Sequence, residues 1–302
     1  MITTQNLIKR FDQITAVENL NLEIPEGEVF GFLGPNGAGK TTTVRMLTSL
    51  ISPTAGSATV NGHVVGERDI DIRRSVGLLT ETPGLYDNLS AERNLEIYAS
   101  LYEVEDIKGQ VEKYLRFLGL WERRLDVTAT FSKGMKQKLA IARALLHEPR
   151  TVFLDEPTAA LDPEASRLVR EFILEIKQQG RTIFICTHNL DEADRLCDRI
   201  GVFKTQLLVL DSPANLRRQV FGRKVVFHLL QADEALLEKI IQHPQVTEAR
   251  LIDHKIVATI DDPETHNPEI IRLLVREGAD VQFVGELRRS LEDVYLQLVK
   301  NA

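Results

Sequence analysis

The stretch GPNGAGKT at residues 34–41 constrains the fold of this chain more than any other feature. It matches the pattern G-x-x-x-x-G-K-[ST], in which glycines permit positive φ angles and successive backbone N–H groups curl around phosphate. The apolar run VFGFL precedes the stretch, and the helix-like run TTTVRMLTSL begins at its last residue. A phosphate-binding loop requires this strand, loop and helix context. The sequence therefore predicts such a loop, and the alternative is a glycine-rich turn without a ligand.

The residues of this loop have distinct chemical roles. Lys40 is predicted to place a positive charge between the β- and γ-phosphates of a nucleotide, and the Thr41 hydroxyl to ligate Mg²⁺. Gly34, Gly37 and Gly39 allow the backbone to approach the phosphates closely. We expect the whole loop to take part in binding, including Pro35, Asn36, Ala38 and Thr42.

Three apolar runs lack the alternation of a half-exposed strand: VFGFL (29–33), TVFL (151–154) and TIFIC (182–186). Such runs indicate strands buried on both faces, which is typical of a parallel sheet covered by helices. Each run is followed by polar residues and then by a helical pattern, at residues 40–50, 163–179 and 189–196. The sequence therefore predicts an α/β fold.

Two further regions flank or interrupt this core. Shorter alternating segments before residue 25 (ITTQNLI, ITAVENL and LNLEI) predict an antiparallel flank. Between about residues 85 and 147 amphipathic helical patterns replace the strand signals, which predicts an inserted helical lobe. We expect residues 1–218 to form this first domain.

Residues 219–302 predict a small C-terminal α+β domain. Strand-like and helix-like segments alternate there in the order βαββαβ and are followed by one more helix. Asp233 is a suitable N-cap for the first of these helices. The pair Asn267-Pro268 is expected to start the second helix as cap and first-turn proline, and Gly278 is expected to end it.

Polar groups follow two of the predicted buried strands. Asp155 and Glu156 end the run TVFLDE, and Thr187-His188 follow TIFIC. Because the carboxyl ends of parallel strands share one edge of the sheet, these groups should converge on the phosphate loop. We expect Asp155 to hold Mg²⁺ and Glu156 to act as general base on an attacking water. His188 is predicted to reach the γ-phosphate or to orient the water, and the alternative is a structural histidine.

A second anion site is suggested by FSKGMKQKL at residues 131–139. Free backbone N–H groups and the positive end of the dipole make a helix N-terminus attractive to anions. On spacing alone, Ser132 could equally be an N-cap and nothing more. The chain therefore contains two candidate phosphate sites, and one chain does not obviously need both.

Composition limits the classes of partner and compartment. With 43% hydrophobic and 27% charged residues the chain is typical of globular proteins, and its net charge of −7 argues against nucleic acid as the main partner. We expect the only basic cluster to be a solvated linker: Arg217, Arg218, Arg223 and Lys224. The two cysteines fit a reduced cytosol. No apolar run approaches the roughly 18 residues needed to span a bilayer.

The chain resembles the ATP-binding subunit of ABC transporters over residues 1 to about 218. The resemblance rests on the order and spacing of three motifs: GPNGAGKT, the segment from Phe131 to Asp162, and FICTHNLDEAD. The resemblance implies a P-loop NTPase core that hydrolyses ATP with Mg²⁺. It implies that Phe11, which on its own would be a core aromatic, stacks on adenine. It also implies that Asp162 signals between two nucleotide sites and that His188 contacts the γ-phosphate.

Two positions depart from the family's motifs. The signature motif, normally Leu-Ser-Gly-Gly-Gln, here reads FSKGM, so that Ser132 and Gly134 remain while Lys133 replaces a glycine. In the segment VGLLTETPGLYDN, Glu81 occupies the place of the family's glutamine. A carboxylate can ligate Mg²⁺ or accept hydrogen bonds but cannot donate them. We therefore assign Glu81 to the metal site as an expectation.

The resemblance also implies partners. In the family two such subunits close head to tail, so Ser132 and Gly134 of one chain would cap the ATP held by the other, in a homodimer or a heterodimer. Membrane permease subunits would dock near residues 81–86, although Leu85 and Tyr86 could equally just pack on the helical lobe. The FSKGM signature and the ending SLEDVYL resemble the subclass that exports drugs, antibiotics, lipids or polysaccharides.

The resemblance to an exporter subunit places the chain in the cytoplasm, at the inner face of the cell membrane. The first alternative is a soluble ABC ATPase of translation or DNA repair, which would call for two phosphate loops or a long coiled-coil insertion. The second is an unrelated phosphate-loop kinase or GTPase, but the sequence lacks an Asn-Lys-x-Asp guanine signature. No nucleic-acid partner is expected in the preferred reading.

Overall fold

The computed structural model describes residues 1–80, 82, 84–159, 161–287 and 290–300, apart from the side chain of Val299. The chain forms two compact units, Met1–Ser212 and Pro213–Ala302. The second unit begins at Pro213 and not at residue 219, because the helix that starts there packs against the last helix of the same unit.

The central sheet of the first unit has six strands: β3 (Val29–Leu33), β6 (Val76–Leu79), β7 (Thr151–Asp155), β8 (Thr182–Thr187), β9 (Arg199–Lys204) and β10 (Gln206–Asp211). Their order across the sheet is β10-β9-β3-β8-β7-β6. All neighbouring pairs are parallel except β9 and β10, which form an antiparallel hairpin. Every residue of β3, β7 and β8 is buried, as the three apolar runs predict.

Aromatic side chains fill the core beneath this sheet. The Phe32 ring centroid lies 4.5 Å from that of Phe203 and 5.4 Å from that of Phe184. These three side chains are fully buried. Tilted aromatic pairs at such distances add to the stability gained from burial alone. This packed core holds the carboxyl edge of the sheet in place, where the predicted site residues lie.

The predicted antiparallel flank is a separate four-stranded sheet in the order β2-β1-β4-β5. It consists of β1 (Ile2–Phe11), β2 (Ile14–Ile24), β4 (Ala55–Val60) and β5 (His63–Val64). The segments ITAVENL and LNLEI form the single strand β2, in which Asn19 has a φ of 49°. Apolar residues of this sheet share one buried cluster with Phe30 and Phe32 of the central sheet.

Seven α-helices complete the first unit: α1 (Lys40–Leu47), α2 (Asp69–Ser75), α3 (Ala91–Leu101), α4 (Ile107–Phe117), α5 (Lys133–Leu145), α6 (Pro163–Gln178) and α7 (Leu190–Leu196), among the described residues. Helices α3, α4 and α5 pack on one another and form the predicted lobe, with short 3₁₀ turns at Trp121–Arg123 and Thr128–Thr130. Side chains cap all three helices, because Ser90, Asp106 and Ser132 accept hydrogen bonds from their first turns.

The second unit has the predicted βαββαβ order with a further helix at each end: α8 (Pro213–Phe221), β11 (Lys224–Leu229), α9 (Glu234–Ile241), β12 (Val246–Ile252), β13 (Lys255–Ile260), α10 (Pro263–Arg276), β14 (Val281–Glu286) and α11 (Leu291–Lys300). Its antiparallel sheet has the order β12-β13-β11-β14. The Asp233 side chain caps α9, as predicted. Apolar residues of the sheet, among them Phe227, Ile256 and Ile260, share a buried cluster with Ile240, Ile270 and Leu274 of α9 and α10.

The predicted start of α10 at Asn267-Pro268 is wrong. The helix begins at Pro263, and the Asp262 side chain accepts from the Thr265 N–H at 3.5 Å. Asp262-Pro263 offers the same cap and first-turn proline more than one turn earlier, which leaves Pro268 inside the helix. The end of the helix is as predicted, since Gly278 follows it with a φ of 87°.

The expected solvated linker at the basic cluster is also wrong. Arg217 and Arg218 lie in α8, and Lys224 begins β11. Arg223 makes two hydrogen bonds of 2.6 Å to the Glu264 carboxylate. This bidentate pairing lowers the pKa of Glu264 to about 2. The cluster therefore belongs to the folded second unit.

Two other expectations concern thiols and membrane spans. Cys186 and Cys197 are buried free thiols, and Cys186 packs as a small apolar residue in β8. No helix among the described residues is long and apolar enough to cross a membrane.

Candidate nucleotide-binding site

A cleft of about 350 Å³ opens at the carboxyl edge of the central sheet. Side chains and backbone from the ends of β3, β7 and β8 meet there, as the parallel topology predicts. Its volume lies within the range of small-molecule sites, about 300 to 1,000 Å³. The lining residues are Ala16, Asn36, Gly37, Ala38, Gly39, Lys40, Thr41, Thr42, Asp155, Glu156, Ala159 and His188.

The loop between β3 and α1 has the backbone shape that its sequence predicts. Gly39 has a φ of 102°, and a Cβ there would lie 2.1 Å from the Ala16 carbonyl oxygen. Only glycine is compatible with both features. Lys40 is 7% exposed, and its ammonium group donates to the carbonyl oxygens of Gly34 at 2.7 Å and Pro35 at 3.1 Å. The loop thus holds the Lys40 ammonium group at the start of α1, where first-turn backbone N–H groups can bind phosphate.

A candidate magnesium site lies at the residue after Lys40. The Thr41 hydroxyl donates to Asp155 Oδ2 at 2.8 Å, and Asp155 is 4% exposed at the end of β7. Both oxygens are hard ligands of the kind that Mg²⁺ prefers, and this ion usually takes one or two carboxylates with substrate phosphates and water. Among the described residues no group of three or more His, Cys, Asp or Glu side chains could hold a metal. The Thr41 hydroxyl and the Asp155 carboxylate fit Mg²⁺ bound together with a nucleotide.

Glu156 lies next to this pair and has an unusual backbone. Its φ of 52° is left-handed, and its N–H donates to the Cys186 carbonyl oxygen at 2.9 Å. The carboxylate is held on both oxygens: His188 Nδ1 lies 2.8 Å from Oε1, and the Thr187 hydroxyl lies 3.3 Å from Oε2. Left-handed backbone at a non-glycine residue costs about 1 to 3 kcal/mol and occurs most often at functional sites. The strand ends thus present one oriented, partly exposed carboxylate to the cleft.

The second candidate phosphate site lies elsewhere in the unit. Ser132 caps α5, with its Oγ accepting from the Met135 N–H at 3.2 Å, so the N-cap interpretation is correct. Asp162 likewise caps α6, accepting from the Ala165 N–H at 2.8 Å. Among the described residues that line the cleft, neither Ser132 nor Gly134 nor Asp162 occurs. Within one chain, the two phosphate motifs therefore do not form one pocket.

Two further predicted residues stand apart from the cleft lining. Phe11 is 46% exposed at the end of β1, so it is not a core aromatic, and Lys9 Nζ lies 5.0 Å from its ring centroid. An exposed ring in this position is available for stacking. Glu81, the other expected metal ligand, lies outside the described residues.

Sequence reasoning missed two residues that line this cleft and left a third without a role. Ala16 and Ala159 line the cleft, but no local pattern distinguishes them from other alanines. Thr187 supports Glu156 across the β7–β8 pair. The sequence places Thr187 at this edge of the sheet beside His188, but it does not reveal that the hydroxyl contacts Glu156.

Comparisons with known proteins agree with this geometry. The family model described as ABC transporter matches residues 17–159. The chain is 34% identical over 300 residues to the bacitracin transport ATP-binding protein BcrA of Bacillus licheniformis, covering 99% of this chain and 97% of the relative. It is 30% identical to the linearmycin resistance ATP-binding protein LnrL of Bacillus subtilis (strain 168), covering 92% and 90% of the two chains.

A solved structure gives the same assignment. It is the dimeric, post-hydrolysis state of an ATP-binding cassette bound to ADP and Pi, 26% identical, with a TM-score of 0.65. The match covers 70% of this chain and 98% of that one. The predicted α/β fold and ATPase activity are confirmed, and the translation or DNA-repair alternative is not favoured. The chain is an ATP-hydrolysing subunit and belongs to the family of ABC transporter ATP-binding proteins.

Proposed function

We propose that this chain is the motor subunit of an exporter for antibiotic-like compounds, acting with separate permease subunits at the inner face of the cell membrane. The observation that carries the proposal is the match to the bacitracin transport protein over 99% of this chain and 97% of that relative. That match extends through the second unit, Pro213–Ala302, beyond the 17–159 range of the family model. The linearmycin resistance protein matches over 92% of the chain and supports the same class of substrate.

In this proposal the phosphate loop binds ATP before any chemistry occurs. The loop N–H groups and the start of α1 hold the phosphates, and Lys40 exchanges its two carbonyl contacts for β- and γ-phosphate oxygens. Phe11 stacks on the adenine. Thr41 and Asp155 hold Mg²⁺, with Glu81 as a further candidate ligand. When bound, this ion neutralises developing charge on the phosphates.

Hydrolysis then depends on Glu156. Its carboxylate accepts the proton of a water that attacks the γ-phosphate, a role consistent with its place at the cleft and its two fixed oxygens. The His188 side chain is 64% exposed. Its ring can therefore hold Glu156 through Nδ1 while the rest of the ring faces the cleft and the γ-phosphate. Positioning and electrostatics account for most of the catalysis in phosphoryl transfer.

A second ATP-binding subunit completes each site in this proposal. Ser132 and Gly134 lie at the N-terminus of α5, which presents free N–H groups, and Ser132 is exposed. Since these residues do not line the described cleft of their own chain, they are available to cap ATP bound by another. The dimeric cassette with ADP and Pi supports such an arrangement. Asp162, exposed at the start of α6, would signal between the two sites.

The permease subunits are proposed to dock beside Tyr86. Its side chain is 49% exposed, while its backbone is fixed by the buried amide of Asn94, which accepts from the Tyr86 N–H at 2.7 Å and donates to its carbonyl oxygen at 3.0 Å. A fixed backbone with an exposed aromatic side chain suits a docking surface. Leu85, partly buried next to it, would contribute apolar area.

Co-expression with the neighbouring genes, including any that encode membrane proteins, tests the transport role. We expect the tagged chain to purify with a membrane subunit and to raise the minimum inhibitory concentration of bacitracin or linearmycin in a sensitive host. Glu156→Gln should keep the complex but abolish the resistance, because it removes the proposed base without disturbing the docking surface. Purification of the chain free of any membrane subunit would contradict the proposal.

A further inference from the structure

Glu192 is a buried carboxyl group with an unsatisfied oxygen. It lies in the first turn of α7 and is 3% exposed, and its backbone N–H donates to the Asn189 cap at 3.1 Å. Within the described part of the chain, its Oε1 is buried without a hydrogen-bond partner. A buried ionised carboxylate is costly unless it is fully hydrogen-bonded. A neutral, protonated carboxyl group has a smaller cost of burial than an ionised one.

The Thr187 hydroxyl connects this group to the proposed base. Its Oγ1 lies 3.4 Å from Glu192 Oε2 and 3.3 Å from Glu156 Oε2, and it accepts from the Asn189 N–H at 3.0 Å. Both carboxyl contacts are longer than an ordinary O–H···O bond of about 2.7 Å. The hydroxyl therefore lies between two competing carboxyl groups.

Counting hydrogens shows what this arrangement requires. A threonine hydroxyl has one proton to donate and two lone pairs to accept with, and the Asn189 N–H occupies one of them. If both glutamates were ionised, only one could receive the Thr187 proton, and the other would face a lone pair. If one glutamate is protonated, that acid donates to Thr187, and Thr187 donates to the other. One proton shared by the pair satisfies the Thr187 hydroxyl and the two Oε2 atoms that contact it.

The proton belongs on Glu192. Glu156 is the more exposed partner, with 15% of its side chain accessible, and His188 holds it at 2.8 Å. Burial raises the pKa of Glu192, and the charge of Glu156 adds to this effect. The charge of Arg170 and hydrogen bonds from two hydroxyls, those of Thr158 and Thr187, oppose the rise in pKa without cancelling it. A further titratable group that faces Glu192 is Cys197, a buried thiol at the end of α7.

We propose that Glu192 is a positioning residue for Glu156: as a neutral acid it donates to Thr187 Oγ1 and so directs the Thr187 O–H onto Glu156 Oε2. This inference rests on the proposed role of Glu156 as general base. Ionisation of Glu192 would turn the Thr187 proton away from the base and add a second negative charge behind it. Turnover should therefore fall as Glu192 ionises.

The pH dependence of stability gives a first readout. Because its pKa is raised in the folded chain, Glu192 binds its proton more tightly there than in the unfolded chain, where the reference value is 4.5. The free energy of unfolding should fall as pH rises from that value through the raised pKa. Glu192→Gln carries no titrating proton, so its urea-unfolding free energy should lack this part of the decline. Asp191→Asn, the same exchange at an exposed neighbour in the same helical turn, should behave like the wild type.

The ATPase pH profile of the full-length chain tests the positioning role itself. We expect wild-type turnover to decline by about tenfold on the alkaline side, the value of one such hydrogen bond, and Glu192→Gln to lack this decline because its amide still donates. Thr187→Val should lower kcat about tenfold with KM for ATP unchanged, Thr187→Ser should restore it, and in the Thr187→Val background Glu192→Gln should have no further effect. Asp191→Asn should retain the wild-type profile.

Two results separate failure of this inference from failure of the base assignment. If Glu156→Gln abolishes turnover but wild type and folded Glu192→Gln have superimposable pH profiles, the positioning role of Glu192 is wrong. At alkaline pH, a rise in turnover caused by Glu192→Gln that is as large in the Thr187→Val background as in the wild type would also overturn it. If Glu156→Gln itself hydrolyses ATP at the wild-type rate, the base assignment fails, and the inference fails with it.

Discussion

Replacing Glu156 with glutamine is expected to lower ATP turnover by about 100-fold or more while leaving ATP binding intact. General-base catalysis typically contributes about 10² to 10⁴ in rate, and the amide cannot accept a proton from water. The Gln side chain has the same shape, so the phosphate loop and the Thr41–Asp155 pair should remain undisturbed. Single-turnover hydrolysis and equilibrium binding of a fluorescent ATP analogue measure the two effects separately.

Glu175→Gln is the matched control for this substitution. This substitution removes the same negative charge, but Glu175 lies on the exposed face of α6 and not among the described residues that line the cleft. It should retain wild-type turnover. Wild-type hydrolysis by Glu156→Gln would exclude Glu156 as the base and would favour His188 in that role.

Replacing Lys40 with methionine is expected to weaken ATP binding by on the order of 100-fold or more. Hydrogen bonds to charged groups contribute about 1.5 to 3 kcal/mol each, and Lys40 is proposed to make such bonds to two phosphates. Methionine fills a similar volume, so the loss should come from charge and not from a cavity. Isothermal titration with Mg-ATP measures the affinity.

Lys108→Met supplies the control for the lost positive charge, since Lys108 is exposed on α4. It should bind ATP like the wild type. Thermal melting of both variants without nucleotide would show whether the fold is retained. Unchanged affinity in a folded Lys40→Met chain would mean that backbone N–H groups alone hold the phosphates.

The parts of this fold that the sequence predicts well are those with a strong local signal. The runs VFGFL, TVFL and TIFIC are continuously apolar because β3, β7 and β8 are buried on both faces. The sequence does not predict strand β6, because its four residues are too few to show a period. The start of α10 was misplaced because two Asx-Pro pairs lie close together and local chemistry does not choose between them.

The candidate site also contains parts that the sequence predicts and parts that it does not. The loop 34–41 is a contiguous motif whose chemistry resides in its own residues, so its shape at Gly39 and Lys40 follows from the sequence. The connection from Glu156 through Thr187 to Glu192 is not contiguous, because it forms only when β7 and β8 pair. An acidic residue in the first turn of a helix ordinarily complements the dipole, so the burial of Glu192 leaves no trace in the sequence.

A composite site shared by two subunits would explain why one chain carries two phosphate motifs. The cleft beside Lys40 has no described contribution from Ser132, whose backbone neighbours at the start of α5 form a separate anion-attracting surface. Each motif would thus supply half of a composite site, with the other half from a second subunit. We propose that Ser132 acts on ATP held by the other subunit and not on ATP in its own chain.

Mixing two inactive variants tests this role of Ser132. Lys40→Met disables the loop and leaves the α5 surface intact, whereas Ser132→Asp keeps the α5 cap but places a negative charge opposite the phosphates. Each variant alone should have little ATPase activity, because every composite site contains one defect. In a mixed dimer, one of the two sites has both halves intact, so we predict that combining the variants restores turnover. A mixture that remains as inactive as its separate components would contradict the account.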